Sequence, residues 1–436
     1  MKRLLIANRG EIALRVQRAC AELGIETVAA YSRADQDLLH LSLADQTVCI
    51  GATSYLNATQ LLAAAVTLDC DAVHPGYGLL SEDAAFAAAV EERGLTFVGP
   101  TSQQIELMGD KARARGWLAE QGIPVLPGST GRLGNVDDAH QIAAEIGYPV
   151  LLKASHGGGG RGIVIVETPA ALEPAMQKVA AEADAFFGSA DCYLEKYLQE
   201  ARHIEIQVVG DGHGKVLQLG ARECSIQRRH QKLIEEAPPP GISTAHINQL
   251  ATLCAEALAR LNYRNVGTLE FLYADDAFYF IEMNTRIQVE HPVTEAVTGL
   301  DLVKLQLQLA AGKELKLEQA SINSQGHAIE CRINAEDEHF MPSPGPVDVL
   351  QTPGGMGVRF DSHLYAGYTV PHYYDSLLGK LIVTGQDRAE AIARMKRALA
   401  ELKIEPIETN ALTHRQVLNH SDFVSGRLST RFLERD

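Results

Sequence analysis

One stretch, Phe280 to Pro292 (FIEMNTRIQVEHP), constrains this chain more than any other. It opens as a strand, with Phe280, Ile281 and Met283 apolar. On an extended backbone Glu282, Asn284, Arg286, Gln288 and Glu290 share one face, because successive side chains alternate sides. A strand does not bury itself behind five polar groups. The preceding strand, Gly267 to Tyr273, carries Glu270, and a three-residue turn, Asp275-Asp276-Ala277, sets Glu270 opposite Glu282. Like charges so placed repel unless a counter-ion intervenes. Carboxylate and amide oxygens on strands suit Mg²⁺ or Mn²⁺, which also bind substrate phosphates. The same residues also read as a solvated hairpin face at a sheet edge. The phosphate-binding parts elsewhere in the chain weigh between the two.

Composition narrows the partners. A length of 436 residues points to two to four domains. A net charge of −16 argues against nucleic acid and against an anionic membrane surface. No apolar run is long enough to span a bilayer, and the N-terminus enters a strand (RLLIAN) without a signal-peptide pattern. The seven cysteines are scattered and form no CxxC. They read as reduced thiols of a cytoplasmic protein, most of them small buried hydrophobes.

In chain order, Arg3–Ala7 is a strand, Asn8-Arg9-Gly10 a tight turn and Glu11–Leu23 a helix with Ile12, Val16, Ala19 and Leu23 at helical spacing. Further strand–helix alternation to Val98 argues an open parallel sheet with helices on both faces. A helix is expected over Leu107–Gln121, with Lys111 near its start. Tyr148–Val166 reads as strand, glycine loop, strand. Gly157, Gly159 and Gly162 satisfy GxGxxG, but a strand follows where a dinucleotide fold needs a helix, and Lys153 precedes the glycines, unlike a Walker loop. What remains is a hairpin flap with backbone N–H groups available to phosphates, or a flexible loop without a ligand. In His203–Val208, His203, Glu205 and Gln207 share a face. Glu223–Lys232 (ECSIQRRHQK) is a basic run in an acidic protein, read either as a solvated loop or as an anion site facing the acidic hairpin. Beyond a boundary near 313–325 lies a small α+β unit. In it Arg332 sits among apolar strand positions, either in a structural ion pair or reaching back toward the metal.

Taken together, IANRGEIALR, HPGYGLLSE, MGDK, KASHGGGGRG, EKYL, RHIEIQV, CSIQRRHQK, EMNTRIQVEHPVTE, ECRINAED and YYDSLLGKLI resemble the biotin carboxylases among the ATP-grasp ligases, over nearly the whole chain. The likeness is strongest to the stand-alone subunit of bacterial acetyl-CoA carboxylase. It implies a Rossmann-like N-terminal domain (1–110), an ATP-grasp domain (111–315) with a mobile glycine-rich lid at about 125–197, and an α+β C-terminal domain (326–436). ATP would be held by Lys111, Lys153, Gly159, Gly160, Glu195, Lys196, Tyr197, Leu198, His203, Gln227, His230, Glu270 and Glu282. Glu270, Glu282 and Asn284 would hold Mg²⁺ or Mn²⁺. Lys232, Arg286, Gln288 and Val289 would cradle bicarbonate, Glu290 would act as base, and Arg332 would stabilise the biotin enolate. Catalysis would then rest on Arg286, Glu290, Lys232 and Arg332.

Met395-Lys396 lacks the Met-Lys-Met setting of a biotinylated lysine, so biotin is expected on a separate carrier protein, with separate carboxyltransferase subunits and a homodimeric state. Three departures stand out: His156 where the flap usually has glycine, a shorter segment between Gly51 and Tyr55, and Pro406 in a C-terminal turn. The competing readings are a non-catalytic or regulatory paralogue on the same fold, an ATP-grasp ligase for another carboxylate, and the biotin carboxylase subunit of a pyruvate- or urea-type carboxylase. The presence of Glu270, Glu282, Asn284, Arg286, Glu290 and Arg332 weighs against the first, and QRRHQK and RIQVEHP against the second.

Overall fold

The computed structural model describes residues 1–52, 54–129, 131–155, 162–187 and 190–434. The N-terminal unit is a five-stranded parallel sheet of β1 (Arg3–Ile6), β2 (Glu26–Tyr31), β3 (Gln46–Cys49), β4 (Ala72–His74) and β5 (Thr96–Phe97), in the order β3-β2-β1-β4-β5. Its inner strands β1, β2 and β4 are largely apolar and buried, as crossover helices on both faces require, while the edge strand β3 is mostly exposed. Helix α1 (Gly10–Leu23) leaves the C-terminal end of β1 and stops at Gly24, whose φ of 69° suits glycine. That sheet end delivers Glu11 and, after β4, Tyr77 and Glu82.

A three-stranded antiparallel sheet of β6 (Val150–Ala154), β7 (Ile163–Val166) and β8 (Cys192–Lys196), ordered β7-β6-β8, makes up, with the helices Val136–Ile146 and Leu172–Phe187, the segment expected as the lid. It encloses a core of its own. The expected strand–loop–strand hairpin is therefore present, while Gly159, Gly160 and His156 lie outside the described residues.

The remaining strands are β9 (Arg202–Asp211), β10 (Val216–Arg228), β11 (Gln231–Ala237), β12 (Arg264–Ala274), β13 (Ala277–Asn284), β14 (His327–Asn334), β15 (Gly345–Gln351), β16 (Val358–Ser362), β17 (Thr369–Val370), β18 (Leu377–Gly385) and β19 (Lys403–Pro406). One sheet of eight runs β13-β12-β9-β10-β11-β14-β18-β16, and β17-β15-β19 is a small sheet beside it. The eight-stranded sheet passes straight through the boundary expected near 313–325: β11 pairs with β14, which places Glu235 opposite Glu330. The second and third expected units thus share one continuous floor.

Four local expectations need correction. The helix expected over 107–121 is two, Ser102–Gly109 and Lys111–Glu120, because the Asp110 carboxylate caps the N–H groups of Ala112 and Arg113 and stops the first. The turn before β13 has two residues, Asp275 and Asp276, both at positive φ, as a tight hairpin of right-handed twist demands. The basic run 223–232 is no solvated loop. Most of it lies in β10 and β11, and only Arg229 and His230 form the turn. Finally, β13 ends at Asn284, so Arg286, Gln288 and Glu290 arrive on a turn ahead of the helix His291–Thr298. Among the described residues, no helix is long and apolar enough to cross a membrane. All seven cysteines are free and six are buried, as small hydrophobes would be.

Candidate active site

The site lies on the face of the large sheet where β9, β10, β11, β12, β13 and β14 present charged side chains. Glu270 on β12 pairs in register with Glu282 on β13 and with Glu205 on β9. Three carboxylates in a row cost a great deal unless cations sit among them, and in this structure the cations are side chains. Lys232, from β11, donates to Glu205, to Glu270 Oε1 at 3.0 Å and to Glu290 Oε1 at 2.8 Å. His203 Nε2 stands 3.0 Å from Glu270 Oε2. Lys111 Nζ meets Glu282 Oε2 at 2.5 Å. The solvated-hairpin reading fails here, because Glu270 is only 4% exposed and Asn284 7%.

Beneath this layer lies Arg222 on β10, fully buried. Its Nε donates to Glu205 Oε2 at 2.9 Å, and its terminal nitrogens donate to Gln207 Oε1 (2.6 Å), Thr294 Oγ1 (3.0 Å), Thr268 Oγ1 (3.2 Å) and Gln288. Gln288 passes the constraint on, donating to Glu270 Oε1 at 2.6 Å. Five partners from four elements hold one guanidinium, the condition under which a buried arginine is tolerated.

Glu290 is held from two sides, by Lys232 and by Arg332, whose terminal nitrogen reaches Glu290 Oε2 at 2.9 Å while its Nε donates to Glu235 Oε1 at 2.6 Å. Arg332 therefore makes structural ion pairs and also reaches the site. Arg286 donates to Glu82 Oε2 (2.7 Å) and to Asn284 Oδ1 (2.8 Å). In the lid Lys153 pairs with Glu195, and the half-buried Lys196, Tyr197 and Leu198 follow on the connection to the floor. Gln227 is half-buried opposite Lys232, and His230 is exposed at the hairpin tip. The structure thus gathers Lys232, Glu270, Asn284, Arg286, Gln288, Glu290, Arg332 and His203, with Lys111 and Glu282 adjoining. His230 has no side-chain partner among the described residues.

The electrostatics fit these contacts. Burial pushes Glu290 up, but Lys232 and Arg332 outweigh it and hold the carboxyl below the usual glutamate range. Glu270 is likewise held well below by Lys232 and His203 against its burial. Burial lowers His203, yet Glu270 raises it further, to about 9. Burial raises Glu235 to about 7, opposed by Arg332. The floor thus presents Glu290 ionised, as a proton acceptor must be.

Glu270, Glu282 and Asn284 supply hard oxygens on adjacent strands, which fits Mg²⁺ or Mn²⁺. Two other sets, His203–Glu205–Glu270 and Glu205–Cys224–Glu290, also bring three ligand atoms within 4.8 Å of one another. The Lys232 ammonium touches carboxylates of both and occupies the electrostatic role of an ion there. Sequence reasoning gave no role to Glu205, Gln207, Arg222, Glu82, Glu235 or Lys380. Only Glu205 and Gln207 had a visible signal, the alternation that puts them beside His203.

Comparison with known proteins agrees. Residues 1–105 match the family described as "Biotin carboxylase, N-terminal domain", 110–318 "Carbamoyl-phosphate synthase L chain, ATP binding domain", and 330–435 "Biotin carboxylase C-terminal domain". The biotin carboxylase of Haemophilus influenzae is 52% identical over 441 residues, covering 100% of this chain and 98% of that protein. A pyruvate carboxylase subunit of Methanothermobacter thermautotrophicus is 47% identical over 99% of this chain and 89% of its own. The biotin carboxylase domain dimer of Hydrogenobacter thermophilus 2-oxoglutarate carboxylase, solved with MgADP, ADP and bicarbonate, superposes with a TM-score of 0.97 at 46% identity, covering 99% of this chain and 97% of that one. With three successive family matches and whole-length relatives of this identity, the chain belongs to the biotin carboxylase family.

Proposed function

We infer that this chain is an ATP-dependent ligase that carboxylates biotin with bicarbonate. The observation that carries the reading is Glu290, an ionised carboxylate clamped between Lys232 and Arg332 next to the Arg286–Gln288 turn. Bicarbonate is a poor nucleophile, and a carboxylate base within reach of its proton corrects that. Glu290 takes the proton as the bicarbonate oxygen forms a bond to the γ-phosphorus and the bond to ADP breaks. Lys232, Arg286, Gln288 and Val289 hold the bicarbonate. Lys111, Lys153 and His203 neutralise phosphate charge, and Glu195 to Leu198 border the adenine. Gly159 and Gly160 of the flap, with Gln227 and His230, complete the nucleotide site. Mg²⁺ or Mn²⁺ at Glu270, Glu282 and Asn284 adds counter-charge to the phosphates when bound. The carboxyphosphate so formed yields CO₂ and phosphate within a closed site that keeps water away. The phosphate released in that step takes the ureido N–H proton of biotin, Arg332 stabilises the resulting anion, and the ureido nitrogen forms its bond to the CO₂.

We assign the units as 1–110, 111–315 and 326–436, with biotin arriving on a separate carrier protein and a homodimer as the working state. The dimer of the Hydrogenobacter relative supports the last point. The carboxyl group passes to separate carboxyltransferase subunits, for which acetyl-CoA is the acceptor we favour from the resemblance. The pyruvate and 2-oxoglutarate carboxylase relatives support an oxo-acid acceptor as a second reading.

The test is ATP hydrolysis with and without bicarbonate and free biotin. Dependence on bicarbonate and stimulation by biotin are expected, and indifference to both would refute the activity. Glu290→Gln is expected to lower turnover by about 10²–10⁴-fold while nucleotide still binds, the span a positioned base supplies. Undiminished turnover in that variant would remove Glu290 from the base role.

A further inference from the structure

Lys380 on β18 is fully buried, and no step described so far uses it. Its Nζ donates to the main-chain oxygen of Val289 at 2.9 Å and meets Glu11 Oε1, at the start of α1, at 3.1 Å. Tyr77, from the loop after β4, donates its hydroxyl to that same Glu11 oxygen. Lys380 lies directly opposite Arg332 in the β14–β18 register. Paired residues of an antiparallel ladder project to one face, and from that face Arg332 takes the Glu290 carboxylate while Lys380 takes the carbonyl of the residue before it.

The turn carrying Arg286 to Glu290 has no strand or helix of its own to fix its peptide planes. Several of its main-chain groups are fixed by side chains around it. Glu82 accepts the Thr285 N–H at 3.0 Å and Arg286 Nε at 2.7 Å. His291 Nδ1 lies 2.7 Å from the Gln288 carbonyl. In a trans peptide the carbonyl and the following N–H point opposite ways. Anchoring the Gln288 carbonyl therefore aims the Val289 N–H, and anchoring the Val289 carbonyl aims the peptide that leads into Glu290. A charged donor is a stiffer anchor than a neutral one.

We propose that Lys380 is a positioning residue for bicarbonate. By holding the Val289–Glu290 peptide, it sets the affinity of the turn for bicarbonate and the aim of the Glu290 carboxylate. The proposal rests on the carboxylation reading above. It links three units of the chain, since Lys380 comes from the C-terminal strands, its counter-ion Glu11 from the N-terminal unit and its target from the ATP-grasp unit.

The test separates positioning from mere stabilisation. Bicarbonate-dependent ATP hydrolysis is measured for wild type, Lys380→Met, Glu11→Gln and the double variant, with KM for bicarbonate and for ATP determined separately. Lys380→Met is expected to raise KM for bicarbonate about tenfold or more, the scale of one charge-assisted hydrogen bond, and to leave KM for ATP unmoved. It also strands the buried Glu11 carboxylate and lowers the melting temperature. The double variant removes both charges, so it is expected to recover thermal stability and to keep the raised bicarbonate KM. Glu11→Gln alone, which keeps the bond to Val289, is expected to bind bicarbonate as wild type does, and the double variant, which leaves no buried charge unpaired, carries the KM measurement if Lys380→Met does not fold alone. Recovery of bicarbonate affinity in the double variant, an equal rise in both KM values, or a Glu11→Gln defect as large as that of Lys380→Met would each overturn the proposal. A wild-type enzyme indifferent to bicarbonate would overturn the parent reading instead, so the two failures are distinguishable.

Discussion

The floor and the lid of this molecule hold their charges in different ways. On the floor, Arg222, Glu205, Glu270, Lys232 and Glu290 are buried or nearly so, and each has two or more charged or polar partners drawn from distant parts of the chain. In the lid, Lys153 has a single charged partner among the described residues, Glu195, on the neighbouring strand. The lid also has its own apolar core, with Val150, Leu152, Val166, Leu172, Val179 and Leu194 buried together. It joins the rest through main-chain bonds such as Lys111 N–H to Ser155 O at 3.1 Å and the Val125–Phe280 bridge, and through the Arg132–Asp110 ion pair at 2.7 Å. A unit with a separate core shifts as a body at little cost, whereas an interlocked buried charge network does not. The floor is therefore set in place by folding, while the lid packs on itself with fewer buried charges.

The sharpest way to break that contrast is Arg222→Met. Methionine fills much of the space but leaves Glu205 buried without one of its cations. Removing one partner of a buried pair costs about 3–5 kcal/mol. Denaturant unfolding is expected to show a loss of that size, with bicarbonate-dependent hydrolysis abolished because Gln288 loses its anchor. A loss below about 1 kcal/mol, the scale of an exposed pair, would mean that the floor charges are no more interdependent than those of the lid.

Glu235 sharpens the contrast through pH. Burial raises its carboxyl to about 7, with Arg332 pulling the other way. An unfolded glutamate titrates near 4.3. The folded chain therefore binds the proton more tightly. The stabilising contribution of that proton is complete below the unfolded value and is lost as pH rises through about 7. Between pH 5 and pH 8 the wild type is expected to lose about 2–3 kcal/mol relative to Glu235→Gln. Parallel stability curves for the two proteins over that range would show that Arg332 keeps Glu235 ionised throughout.

How much of this was legible beforehand follows from the range of the interactions. The opposition of Glu270 and Glu282 was readable because a hairpin brings them together locally, and the alternation in HIEIQV placed His203, Glu205 and Gln207 on one face. Arg222 was not readable. In LQLGARECS it is one cation among apolar and small residues, and its partners lie at least 15 residues away, at Gln207, Glu205, Thr268, Gln288 and Thr294. The basic run 223–232 resembled a loop because charge ordinarily means solvent, but Lys232 is charged and enclosed since three carboxylates enclose it. The end of β13 at Asn284 was equally hidden, because the Thr285 N–H that would continue the ladder goes to Glu82, some 200 residues earlier in the chain. Lys380 had no local sign at all, since its meaning depends on Val289 and Glu11.

The gentlest test lies in the lid. Lys153→Met removes a cation whose ionic contact among the described residues is Glu195 alone, inside a unit that packs on itself. The floor network described above contains no bond to it, so bicarbonate KM and the pH curve of Glu235 are expected to stay as in wild type. On the proposed role of Lys153 at the phosphates, what changes is charge at the nucleotide. Losing one ammonium near a phosphate is worth about 1.4 kcal/mol, or a tenfold rise in KM for ATP. If bicarbonate KM rises by the same factor, Lys153 reaches the floor through the closed lid, and the two halves of the site are coupled more tightly than their separate cores imply. If only the ATP term moves, the lid acts as a nucleotide clamp over a floor that was already complete.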